Sequence, residues 1–118
     1  MAEESLLDIE LLDETYELDG DGLRELIDMY FVQAEETMAG LRTAIRAGQS
    51  DNVNHLAHRL AGSSAVCGLT AMVGPLQMLQ QRGREGQLSD AESFMAAITE
   101  RLESCRRLLN EYLANKSG

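Results

Sequence analysis

Basic side chains are scarce in this chain of 118 residues. It has 10 lysines and arginines against 20 aspartates and glutamates, which gives a formal charge of −10. That balance argues against a general binder of nucleic-acid phosphates, because such a protein needs a basic face. No apolar run approaches the roughly 18 residues that a membrane span requires. The start, Met1–Glu4, is acidic and does not resemble a signal peptide, so the sequence favours a cytoplasmic protein.

Cysteine and proline are rare as well. The two cysteines, Cys67 and Cys105, could form one bridge, but free buried thiols are the expectation for a cytoplasmic chain. A single proline and few runs of β-branched residues favour helix throughout. Apolar residues make up 44% of the chain, which is enough for one packed core. We therefore expect a single all-α domain over residues 1–118.

Five amphipathic helices are predicted, because apolar residues recur at steps of three and four. Short loops between them favour antiparallel packing. The expected fold is an antiparallel four-helix bundle with a short extra N-terminal helix and a core over residues 20–113. The predicted helices cover residues 5–18, 22–47, 50–67 and 70–82, followed by a last helix that carries Met95 to Tyr112.

Turn-forming and capping residues set the predicted ends of the first four helices. Asp19–Gly22 is predicted to be a turn, and Gly48 is predicted to end the second helix. Ser50 is a good N-cap for the third helix. Pro75 must either kink the fourth helix or mark its true start.

Polar residues also bound the last helix. The segment 82–86 is predicted to be a loop that closes the fourth helix. Ser89–Glu92 then matches a capping box, with Leu88 placed as its hydrophobic staple. The tail over residues 115–118 is expected to fray.

The third predicted helix has an unusual outward face. His58 lies about 160° from Leu60 on the helical wheel, and Ala61, Gly62 and Ala65 lie near it. A solvent face normally carries long polar side chains, so this bare face would let a second protein approach the histidine closely. Alternatively, the face packs against another helix and buries His58. The core stripe spans roughly 100° of the wheel and consists of Val53, Leu56, Ala57, Leu60, Ser64 and Cys67.

The segment His58–Gly68 resembles the histidine-containing phosphotransfer (Hpt) domain of two-component phosphorelays. The family motif reads roughly His-x-Leu-Lys-Gly-Ser/Ala-Ser/Ala, followed by a glycine that ends the helix. Leu23–Phe31 is similar to the start of the family's long second helix, and Ala47–Asp51 to the turn before the motif helix. The resemblance covers about residues 20–113. Six motif positions match: His58, Leu60, Gly62, Ser63, Ser64 and Gly68.

This resemblance implies a role for each matching residue. His58 would accept a phosphoryl group from a receiver-domain aspartyl phosphate and pass it to another receiver, and Gly62 would clear space beside its ring. Similar domains often place a glutamine 22 residues after the histidine to hydrogen-bond the imidazole. That residue is Gln80 here, with Gln81 as the neighbouring candidate.

The resemblance also implies the partners. They are a response-regulator receiver domain, a hybrid sensor histidine kinase, or both. The receiver supplies the Mg²⁺, so no cofactor is expected on this chain. No Gly-rich phosphate loop or nucleotide fingerprint is present in the sequence, so the expectation is a phosphocarrier without kinase activity of its own.

The chain departs from the motif at Ala61, where the family has a lysine that attracts phosphate. Arg59, Arg82 or Arg84 could substitute for it, or transfer could be slower. A further alternative is a docking module that binds a receiver or kinase without carrying phosphate. The candidate docking residues are Ala61, Ala65, Leu11 and Leu12.

Two other functions fit the sequence less well. His55 and His58 are three residues apart, as metal ligands can be, but a di-metal bundle needs inward-facing Glu-x-x-His pairs on two helices. We therefore expect no metal and interpret His55 as a surface residue. A thiol-based role is opposed by the predicted burial of Cys67 and Cys105. Nothing in the sequence demands a dimer, and a monomer is expected.

Overall fold

The computed structural model describes residues 6–117, and within that range the chain is helical with no strand. The all-α prediction is therefore confirmed. The molecule measures 46 × 27 × 17 Å along its principal axes. Its helices are α1 (Ile9–Leu18), α2 (Gly20–Arg46), α3 (Ser50–Val66), α4 (Thr70–Glu85) and α5 (Ala91–Ser117).

Contacts between α2 and α5 give the direction in which these helices pack. Near the start of α2, Arg24 Nη2 donates to the carbonyl oxygen of Leu113, near the end of α5, at 3.0 Å. Near the end of α2, Arg42 Nη2 reaches Oγ1 of Thr99, near the start of α5, at 3.5 Å. The two helices therefore run antiparallel, as predicted for the bundle.

Aspartates begin the first two helices. The Asp8 side chain accepts a backbone hydrogen bond and caps α1, which starts later than the predicted range of 5–18. The turn predicted over Asp19–Gly22 is wrong. Helix α2 begins at Gly20, because the Asp19 carboxylate accepts a hydrogen bond from the Gly22 amide at 2.9 Å. One residue therefore separates α1 from α2.

Helices α3 and α4 approach each other closely at Gly83. A Cβ atom there would lie 2.6 Å from the amide nitrogen of Asn54 and 2.8 Å from the carbonyl oxygen of Ser50. The glycine belongs to this helix crossing, so the loop predicted over residues 82–86 is wrong. Helix α4 continues until Gly86, whose φ of 70° ends it. Ser50, predicted to cap α3, is the first residue of that helix.

Pro75 lies inside α4 and does not mark its start, which is at Thr70. Because proline has no amide hydrogen, the carbonyl oxygen of Ala71 loses its helical partner. Arg101 Nη1 of α5 donates to that oxygen at 3.1 Å. A side chain from a neighbouring helix thus replaces the missing backbone hydrogen bond.

The predicted capping box of the last helix is wrong. Helix α5 begins at Ala91, so Asp90 rather than Ser89 precedes it. The Asp90 carboxylate faces back to α4 and accepts hydrogen bonds from Arg82 Nε at 3.0 and 3.1 Å. Leu88, predicted as the staple, is partly buried against the core.

Helix α1 is tied to the end of α5 through one aspartate. Asp13 Oδ1 accepts a hydrogen bond from the Tyr112 hydroxyl at 2.7 Å and pairs with Lys116 Nζ at 3.1 Å. Both hydrogen bonds lower the pKa of the Asp13 carboxyl below its ordinary value. Fraying was predicted for the tail, but residues up to Ser117 are helical, and Gly118 lies outside the described residues.

The two cysteines are buried and free, as predicted. Burial raises the pKa of Cys105 to about 11 and also raises the pKa of Cys67. Both thiols are therefore held in their neutral, unreactive form. Along residues 6–117, none of the helices is long and apolar enough to cross a membrane.

Candidate functional site

His58 lies in the middle of α3 and is exposed to solvent. Leu60, on the opposite side of the helix, is buried, as are Val53 and Ala57. The alternative in which the bare face packs inward and buries the histidine is therefore wrong. His55 is exposed too, in agreement with its interpretation as a surface residue.

A depression of about 190 Å³ lies beside His58, between α3 and α4. A Cβ atom added to Gly62 would meet nothing within 4 Å, so the floor of this depression is open next to the ring. The space can accept a group attached to the imidazole. The depression is lined by His58, Ala61, Gly62, Ala65, Val73, Gln77 and Gln80.

A buried hydrogen-bond chain fixes α3 in the orientation that exposes His58. The Ser64 hydroxyl donates to the carbonyl oxygen of Leu60 at 2.7 Å, so its oxygen accepts from the Tyr30 hydroxyl of α2, also at 2.7 Å. Burial raises the pKa of the Tyr30 phenol well above its ordinary value, which keeps it a donor. Both polar groups are thereby satisfied inside an apolar core.

Ala61 is buried, although the sequence predicts it on the outward face of α3. It is only 6% exposed, although its remaining surface lines the depression. Ala61 therefore offers little area for docking. Ala65, the other small residue predicted on this face, is exposed and lines the same depression.

The arginines proposed as substitute cations do not line the depression. Arg82 is engaged elsewhere: it pairs with Asp90 and lies over the ring of Phe94, 5.3 Å from the ring centroid. Arg82, one of the three alternatives for the missing lysine, is therefore engaged away from the depression. Arg59 and Arg84 are exposed outside the lining of the depression.

Of the two candidate glutamines, Gln80 lies at the depression. Gln81 is exposed and donates from Nε2 to Glu85 at 3.2 Å. The 22-residue spacing thus selects the glutamine that lines the histidine's depression. The role of Gln80 toward the imidazole stays a prediction.

Two lining residues of α4 were missed at the sequence level, Val73 and Gln77. They precede Gln80 by seven and three residues, a spacing that places all three on one helix face. That periodicity was available in the sequence. What it could not reveal was that this face of α4 borders the histidine.

The two docking residues predicted on α1 differ in their exposure. Leu12 is 1% exposed, packed next to Gly68 at the turn between α3 and α4, so its assignment to docking is wrong. Leu11 is half-buried and retains some accessible surface. Within residues 6–117, no three histidine, cysteine, aspartate or glutamate side chains form a possible metal site.

Comparison with family models matches residues 25–111 to the Hpt domain. This chain belongs to the Hpt domain family. The matched span begins inside α2, so α1 lies outside it. Membership of this family supports a role in histidine phosphotransfer within two-component signalling.

Two individual proteins are similar to this Hpt domain. Multistep phosphorelay regulator 1 of Schizosaccharomyces pombe is 36% identical over 85 residues, which cover 69% of this chain and 29% of that protein. The chain therefore spans less than a third of that relative. The crystal structure of histidine-containing phosphotransfer protein B from Pseudomonas aeruginosa PAO1 has a TM-score of 0.89 at 24% identity. It is matched over 95% of this chain and 97% of its own, which supports the fold.

Proposed function

We propose that this Hpt domain carries a phosphoryl group on His58, taking it from the aspartyl phosphate of one receiver domain and passing it to the aspartate of another. The observation that carries the proposal is an exposed histidine beside an open depression, with the free space at Gly62 next to its ring. A receiver's active site must come very close to the histidine for direct transfer, and small residues permit that approach.

The chemistry needs one nucleophile from this chain. A neutral imidazole has one unprotonated ring nitrogen, whose lone pair attacks the phosphorus. A P–N bond forms as the bond from phosphorus to the aspartyl oxygen breaks, and the carboxylate leaves with that electron pair. The other ring nitrogen keeps its proton, and in this proposal the side-chain oxygen of Gln80, which lines the same depression, accepts a hydrogen bond from that nitrogen. Passing the group on reverses these steps with a second aspartate.

The remaining parts of the reaction belong to the partner. In this proposal the receiver, alone or within a hybrid kinase, supplies Mg²⁺ and the positive charge that neutralises the moving phosphoryl group. His58 and the glutamines that border it come from one chain, so a monomer is sufficient. The domain transports phosphate between proteins and does not draw it from a nucleotide.

A second candidate is a docking module that binds a receiver or kinase without carrying phosphate. Ala61 favours it, because a buried alanine stands where the family motif has a lysine. Both candidates use the same face of α3. They differ in whether His58 becomes phosphorylated.

The deciding experiment mixes the protein with a radiolabelled phospho-receiver and Mg²⁺. We expect acid-labile, base-stable label on the wild type and on His55→Ala, and no label on His58→Ala. Because His58 is exposed, its replacement should change the free energy of unfolding by less than about 0.5 kcal/mol. Binding without label, across several receivers, would contradict carriage and favour the docking module.

A further inference from the structure

The depression beside His58 has an electrically neutral lining. Apart from the histidine, its polar side chains are the amides of Gln77 and Gln80, and its other lining residues are apolar or glycine. A phosphoryl group on His58 would bring about two negative charges into this space. The lining must therefore meet that charge with hydrogen-bond donors rather than with a cation.

Gln77 and Gln80 lie at different points along α4, so their side-chain amides can reach different parts of a phosphorylated histidine. Helices α3 and α4 are antiparallel, since Gly83 near the end of α4 lies against Asn54 in the first part of α3. Gln77 therefore lies farther than Gln80 toward the end of the depression that contains Ala65. The unfilled space at Gly62 separates His58 from that end.

We propose that Gln77 is a positioning residue that donates a side-chain hydrogen bond to the phosphoryl group carried by His58, while Gln80 orients the imidazole. The inference rests on the proposed phosphocarrier function. A group that extends from the ring across Gly62 comes toward Gln77, whose exposed amide has two N–H donors. The donor compensates in part for the lysine that Ala61 replaces.

This arrangement has a distinct electrostatic consequence. A neutral amide holds the phosphoryl group through a short-range, directed hydrogen bond, which salt screens little. An ammonium group would hold it through a longer-range attraction, which salt weakens. The lifetime of phosphohistidine in this protein should thus depend only weakly on ionic strength.

The test uses phosphoramidate as a small phosphoryl donor, so that no receiver has to dock. The full chain and its variants are phosphorylated, and the ³¹P chemical shift and the half-life of the phosphohistidine are measured. Gln77→Leu removes the donor at similar size. Gln81→Leu is the matched control, because Gln81 is an exposed glutamine of the same helix that bonds to Glu85. Gln77→Lys restores a donor as a cation.

We expect Gln77→Leu to move the ³¹P shift and to shorten the half-life roughly tenfold, the size of one hydrogen bond to a charged group. Gln81→Leu should match the wild type. Gln77→Lys should recover a long half-life that now shortens as salt is added.

Each contrary outcome has its own meaning. In one outcome His58 is phosphorylated, but Gln77→Leu has the same ³¹P chemical shift and phosphohistidine half-life as the wild type. Gln77 then does not hold the phosphoryl group, and the proposed carrier function stands. If Gln81→Leu shortens the half-life as much, the effect belongs to α4 as a whole and the inference is overturned. If His58 of the wild type is not phosphorylated, both the inference and the carrier function fail.

Discussion

Two depressions on this bundle differ in what their polar groups are engaged in. One, of about 380 Å³, lies between α2 and α5, and the other, of about 190 Å³, lies beside His58. In the larger one Arg106 pairs with Glu35, and its guanidinium lies over the ring of Phe31, 4.4 Å from the centroid. In the smaller one an exposed histidine faces neutral amides and an open glycine.

The difference teaches that size does not mark the functional site proposed for this domain. In the larger depression Arg106 and Glu35 are already paired across two helices, where they contribute to packing. The smaller depression keeps an exposed histidine, the proposed nucleophile, which its surroundings leave accessible. The following substitutions test this division between a site for chemistry and a site for packing.

The largest effect is expected from filling the space beside the histidine. Gly62→Glu places a carboxylate where the phosphoryl group and the receiver must come, and like charges at an interface cost several kcal/mol. Transfer from a phospho-receiver should fall by roughly 100-fold, since each 1.4 kcal/mol is a factor of ten. Gly62→Ala is the size control: its methyl group meets nothing of this chain within 4 Å, and we expect it to reduce transfer much less than Gly62→Glu does. Normal transfer in Gly62→Glu would remove the proposed reason for the bare face.

A second comparison uses one substitution at two glycines. Gly83→Ala forces a Cβ to 2.6 Å from the backbone of α3, so the helices must separate, at a cost of about 1–3 kcal/mol in the free energy of unfolding. Gly62→Ala meets open space and should stabilise the protein by up to about 1 kcal/mol through helix propensity. Urea unfolding measures both. Equal stability of the two variants would mean that α3 and α4 do not approach closely at Gly83.

The smallest effect is expected in the larger depression. Arg106→Met keeps an aliphatic chain over Phe31 but loses the ion pair with Glu35. A partly exposed pair of this kind contributes up to about 1 kcal/mol, and phosphorylation of His58 should not change. Arg107→Met is the matched control, since Arg107 is exposed and pairs with Glu111 of the same helix at 3.9 Å. A loss of phosphotransfer in Arg106→Met alone would make the larger depression part of the functional surface.

The sequence predicts the helices well where a long apolar stripe faces one direction. It predicts their ends less well, because the ends depend on tertiary contacts. Gly83 reads as a loop residue until α3 is seen packed against it. Asp90 reads as part of a capping box, but it pairs with Arg82 instead. In both places a partner distant in the chain overrides the local preference.

The predictions for the site also succeed where one helix decides the outcome and fail where a second helix does. The wheel alone places His58 outward and Leu60 inward, because the two lie on opposite sides of one helix. The wheel fails for Ala61, which lies at the boundary of the stripe and is buried. The helical wheel gives no prediction for Gln77, because the sequence does not reveal which face of α4 borders the histidine.

The hydrogen bond between Tyr30 and Ser64 restricts the rotation of α3 about its own axis. Apolar contacts have no preferred direction, so the buried stripe of α3 fixes the rotation of that helix only coarsely. A directed bond between α2 and α3 resists such a rotation, and a slip by one residue would turn α3 by about 100° and carry the histidine away from the amides of α4. The direction in which His58 points is therefore held in part from another helix, by a tyrosine buried in the core.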